Sequence, residues 1–80
     1  MVVGQVVGKV VSTRKYEELL GYKLLVVQVG EACLVAADEQ GAGVGETVLV
    51  AKGSAVQTVL RKPAPIDALI VGIVDGELNA

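Results

Sequence analysis

Apolar residues in this chain fall into short blocks separated by glycine, proline and charge, and no stretch keeps the 3.6-residue spacing of a long amphipathic helix. Residues 2 to 13 open with a small repeat, Val2-Val3-Gly4-Gln5 then Val6-Val7-Gly8-Lys9, followed by Val10-Val11. Its period of four stays in phase with the two-residue period of a strand, so Val2, Gly4, Val6, Gly8 and Val10 share a wholly apolar face. Glycines on that face let a strand bend and let another backbone come close, as a small closed barrel requires. Ser12 to Gly21 is a polar interruption in which Glu17 to Leu20 suit one helical turn ended by Gly21 in the left-handed region. Lys23 to Val29 reads as the second strand, Gly30-Glu31 as a turn, and Ala32 to Ala37 as the third strand, completing a hairpin.

Three glycines at alternating positions, Gly41, Gly43 and Gly45, precede the next strand, Thr47 to Ala51. Their spacing matches neither the Walker phosphate loop nor the dinucleotide fingerprint, and Glu46 stands where a cation would be wanted. The expectation is a hairpin connection whose glycines take positive φ. Ser54 and Gln57 have capping-box spacing, which predicts a short helix over Ala55 to Leu60. Arg61, Lys62, Pro63, Ala64 and Pro65 end it. The last strand runs from Asp67 to Val74 and closes on an Asp75-Gly76 turn. Five short strands with one short helical turn between the fourth and fifth predict a single all-β domain over residues 1–80, a small, mostly antiparallel OB-like barrel.

Composition changes this picture in one respect. Hydrophobic residues make up 52% of the 80 positions before the ten glycines are counted, whereas apolar residues and glycine together form roughly 45–50% of an average chain. A barrel this small cannot bury so much apolar surface alone, and the excess predicts association with further subunits. The formal net charge of −2 offers no basic field for nucleic acid, and Tyr16 and Tyr22 are the only aromatic residues, flanking a loop instead of forming a stacking platform. Lys9, Lys23, Glu31, Asp38 and Asp67 interrupt every run that could cross a membrane. The amino-terminal stretch lacks the pattern of a signal peptide, and a cytosolic location is expected. Cys33, the single cysteine, is expected to be a packed strand thiol.

Catalytic parts are scarce. With no histidine in the chain, neither a Ser-His nor a Cys-His dyad can form within it. Asp38, Glu39 and Glu46 bracket the glycine loop, and Asp67 and Asp75 bound the last strand. Carboxylates so placed are expected to cap turns or face water, with no loop signature for a cation. Neither an enzyme nor a cofactor nor a metal site is expected.

Several runs together do point to a family. Gly8-Lys9-Val10-Val11-Ser12-Thr13, Lys23 to Gln28, Val35-Ala36-Ala37-Asp38, Gly41-Ala42-Gly43-Val44-Gly45-Glu46-Thr47-Val48-Leu49-Val50, Gly53-Ser54-Ala55 and Pro65-Ile66-Asp67-Ala68-Leu69-Ile70-Val71-Gly72-Ile73-Val74-Asp75 resemble, in that order, the EutN/CcmL family. That family supplies pentameric vertex proteins of bacterial microcompartments and carboxysomes. The resemblance implies a short five-stranded barrel that assembles as a homopentamer, and a place in a microcompartment shell within the bacterial cytoplasm, among hexameric shell proteins. It also directs attention to Asp38, Gly41, Ala42, Gly43, Gly45 and Glu46, with Ser54, Ala55, Asp67 and Asp75, as assembly surface near the five-fold axis or a subunit seam. Val56 stands where family members often have arginine, so no arginine role carries over. The alternative from composition and strand pattern alone is an OB-like oligomeric adaptor of another symmetry.

Overall fold

The computed structural model describes residues 1–76 of the chain. Strands β1 (Val2–Lys9), β2 (Lys23–Val29), β3 (Ala32–Asp38), β4 (Thr47–Lys52) and β5 (Ala68–Val74) close into a barrel in the order β1-β2-β3-β5-β4. All neighbours are antiparallel except β3 and β5, which pair in parallel at Ala37↔Leu69 and Asp38↔Ile70. The barrel is therefore the OB-like, mostly antiparallel one expected. The hairpin of β2 and β3 keeps an unbroken register from Lys23↔Asp38 to Val29↔Ala32, turning at Gly30 with φ +60°.

The two glycines of the opening repeat have different uses. A Cβ on Gly4 would stand 2.5 Å from Val27 Cγ1 and 2.8 Å from the Gln28 carbonyl oxygen, so β1 and β2 approach there more closely than any side chain allows. A Cβ on Gly8 would meet nothing within 4 Å. Gly8 instead follows a register shift between Val6 and Gly8, a bulge at which β1 bends from its pairing with β4 to its pairing with β2.

Three expectations need correction. The glycine segment is not a hairpin connection: β3 and β4 are separated in the barrel by β5, and the segment crosses from one to the other. Cys33 is exposed. It lies opposite Gln28 on the outward row of the hairpin, while its neighbour Leu34 packs against the core. The capping box does not form either. Residues Ser54–Thr58 make a 3-10 turn with Gly53 at its N-cap and no side-chain cap, shorter than the predicted helix. Gln57 Nε2 reaches forward to donate to the carbonyls of Ala64 at 3.0 Å and Ile66 at 2.6 Å. The turn near Glu17 is present as a 3-10 turn, Glu17–Leu19, with Gly21 at φ +85°.

Apolar residues collect on both sides of the sheet. Inside the barrel, Val6, Leu25, Val27, Ala36, Val48, Val50, Ala68 and Ile70 are buried with Ala42. Outside it, Ala37 and Leu69 point the other way and are covered by Tyr22, Val56, Ala64 and Ile66, so the segment between β4 and β5 has a small core of its own. Tyr22 fastens that segment: its hydroxyl donates to the Lys62 carbonyl at 2.6 Å and accepts from the Lys62 N–H at 3.2 Å. The Arg61 guanidinium lies 4.4 Å from the centre of its ring.

Candidate assembly surface

The segment from Glu39 to Glu46 is held at almost every residue. Asp38, buried at the end of β3, accepts from the Gln40 N–H through Oδ1 and from the Ala42 N–H through Oδ2, each at 2.8 Å. An aspartate that bonds backbone amides two and four residues ahead fixes the direction in which the chain leaves its strand. Lys23, at the start of β2, lies 3.4 Å from the same carboxylate and donates to the Ala42 carbonyl at 2.6 Å. These bonds seat the Ala42 methyl fully within the barrel core.

Beyond Ala42, the Glu46 carboxylate accepts from the Gly43 N–H at 2.7 Å, and the Glu46 N–H donates to the Gly43 carbonyl at 3.1 Å. Gly45 N–H donates to the Val6 carbonyl and Val6 N–H to the Glu46 carbonyl, extending the pairing of β1 with β4 by one step. Gln5 adds a bond to the Gly45 carbonyl at 3.2 Å. Gly45 has φ +96°, where an L side chain is strained. Gly43 has no such angle, and a Cβ there would make only ordinary contact with Glu46 Oε1 at 3.5 Å. The result is a stiff loop that presents Val44, 58% exposed, at its tip.

The ten residues singled out from sequence therefore fall into two places. Asp38, Gly41, Ala42, Gly43, Gly45 and Glu46 belong to the pinned loop, where Asp38 and Ala42 anchor it from beneath. Asp75 joins them, since it follows Val74, which pairs with Thr47 next to Glu46. Ser54, Ala55 and Asp67 lie at the other end of β4, where Gly53 N–H donates to the Asp67 carbonyl at 2.8 Å. Ser54, Ala55, Asp67 and Asp75 are all exposed. The sequence reading missed Lys23 and Val44. Lys23 reaches the loop through tertiary structure alone, whereas Val44 was detectable as the only large apolar residue between the three glycines.

Among the described residues no three His, Cys, Asp or Glu side chains come together to hold a metal ion, and no helix is long and apolar enough to cross a membrane. The carboxylates of Asp38 and Glu46 accept from backbone amides, and that of Asp38 also faces the Lys23 ammonium.

Comparison with known proteins agrees with the barrel and extends it. The sequence model of the family described as ethanolamine utilisation protein EutN/carboxysome matches residues 1–75. The chain belongs to the EutN/CcmL family. Among its relatives in that family, the bacterial microcompartment shell vertex protein GrpN of Rhodospirillum rubrum is 46% identical, over 94% of this chain and 93% of its own length. The carboxysome shell vertex protein CcmL of Synechocystis is 45% identical, over 94% of this chain and 83% of its own length. The solved structure of GrpN, described as a pentameric microcompartment shell protein, superposes with a TM-score of 0.83 at 41% identity, over all of this chain and 99% of that one. Both of these relatives are named as shell vertex proteins, and neither name denotes an enzyme.

Proposed function

We infer that this chain is a structural shell protein: it closes into a cyclic homopentamer and caps the vertices of a bacterial microcompartment in the cytoplasm, where hexameric shell proteins surround it. The observation that carries this reading is the match along the whole chain, in sequence and in fold, to a microcompartment shell protein described as pentameric. The molecule itself supports it. Val3, Val7, Val35 and Val44 are each more than 40% exposed, apolar surface that a neighbouring subunit would cover. A head-to-tail contact between two different surfaces closes into a ring when its rotation divides the circle.

The function is tested by producing the hexameric shell proteins of the same organism with and without this chain. With it, electron microscopy is expected to show closed polyhedral shells. Without it, the shells are expected to remain open at their vertices or to elongate, and equally closed shells in both preparations would contradict the assignment.

A further inference from the structure

Taking the ring reading as its basis, we propose that Val44 of one subunit docks into a groove on the next subunit lined by Val10, Leu19 and Leu24, and that this contact is a principal joint of the ring. The groove has a volume of about 640 Å³ and is lined mainly by apolar surface, with Arg14, Lys15 and Tyr16 at its rim. Tyr16 is 74% exposed there. An exposed tyrosine beside an apolar depression is a common element of subunit contacts, since its ring is apolar and its hydroxyl remains wet.

Val44 is not among the residues that line the groove of its own chain. Glu46 and Gly45 are bonded to β1 at Val6, on the side of β1 that faces β4. The groove opens on the side that faces β2, where Val10 N–H donates to the Leu24 carbonyl. The two surfaces thus flank β1, differ in shape, and are suited to a head-to-tail contact.

Charge selects the same pairing. Glu46 is exposed beside Val44, and only its Oε1 accepts a hydrogen bond among the described residues. Arg14 and Lys15 make no ion pair among the described residues; the Lys15 ammonium reaches only the Ser12 carbonyl, at 3.4 Å. A carboxylate beside the knob and two cations around the groove give complementary rims to an apolar centre. The loop is also preorganised, because the bonds from Asp38, Lys23, Gln5 and Val6 hold it before any partner arrives, so little order is lost on docking.

Two measurements decide this. Val44→Asp is expected to keep the far-ultraviolet dichroism of the wild type while weakening ring assembly roughly thirtyfold, the loss typical of a central contact residue. The second uses Cys33→Ser as background, because Cys33 is exposed and would react. There, Val44→Cys combined with Tyr16→Cys is expected to give, on mild oxidation, a ladder of disulfide-linked chains ending at five, whereas either cysteine alone gives no ladder beyond two. Should Val44→Asp unfold the chain, the ladder alone decides. A dilution midpoint for ring assembly unchanged in folded Val44→Asp, or no ladder from a double-cysteine protein whose mass is that of five chains, would overturn the joint and leave the ring reading standing. A wild-type mass other than five chains would remove the ring reading itself.

Discussion

Gly4 and Gly8 hold equivalent places in the opening repeat, but only one of them is fixed by space. A methyl group on Gly4 would collide with Val27 and with the backbone of β2, whereas one on Gly8 would meet open space. Gly4→Ala is therefore expected to destabilise the folded chain by about 1–3 kcal/mol, the usual cost of overpacking. Gly8→Ala should shift stability by less than about 0.5 kcal/mol, because the added methyl meets no neighbour. Chemical denaturation at one fixed protein concentration compares them, since assembly adds a concentration-dependent contribution. Asp38 makes a second test at this scale. Asp38→Ala leaves the Gln40 and Ala42 amides without their acceptor and is expected to cost roughly 2–3 kcal/mol. Faster hydrogen exchange at the Ala42 amide would locate the loss in the loop, and an unchanged exchange rate there would contradict the anchoring role of the carboxylate.

At the scale of elements, the segment between β4 and β5 is held by Gln57 and Tyr22, with no helix cap. Gln57→Ala removes the donor shared by the carbonyls of Ala64 and Ile66 and is expected to cost about 1–2 kcal/mol. Ser54→Ala is expected to stay within about 0.5 kcal/mol, since Ser54 makes no cap bond. A larger loss from Ser54→Ala than from Gln57→Ala would restore the capping box and contradict this account. The same segment shows where local pattern stops being informative. Alternation and turn residues made the five strands and the β2–β3 hairpin legible, because strand period and tight turns are written in neighbouring residues. The crossing of the Glu39 to Glu46 loop, the parallel pair of β3 and β5, and the fastening of Lys62 by Tyr22 depend on partners distant along the chain. Cys33 was misplaced for a different reason: Ala32 to Ala37 is apolar throughout, so the run carries no phase to tell inward from outward positions.

For the whole molecule, the apolar excess and the absence of catalytic parts were legible from composition, and family membership gives both a single explanation. The barrel buries its own core, plugs it with Ala42, and still exposes valines on β1, β3 and the pinned loop. The loop residues lie together in the fold because they are contiguous in sequence. The sequence could not separate the buried anchors, Asp38 and Ala42, from the exposed tip, which only the folded loop distinguishes. The central claim is that this surface belongs to a closed ring of five. Absolute mass by light scattering on the purified chain at micromolar concentration tests it most directly. The account predicts one species of five chain masses, and a stable species of one, two or six chains would contradict it.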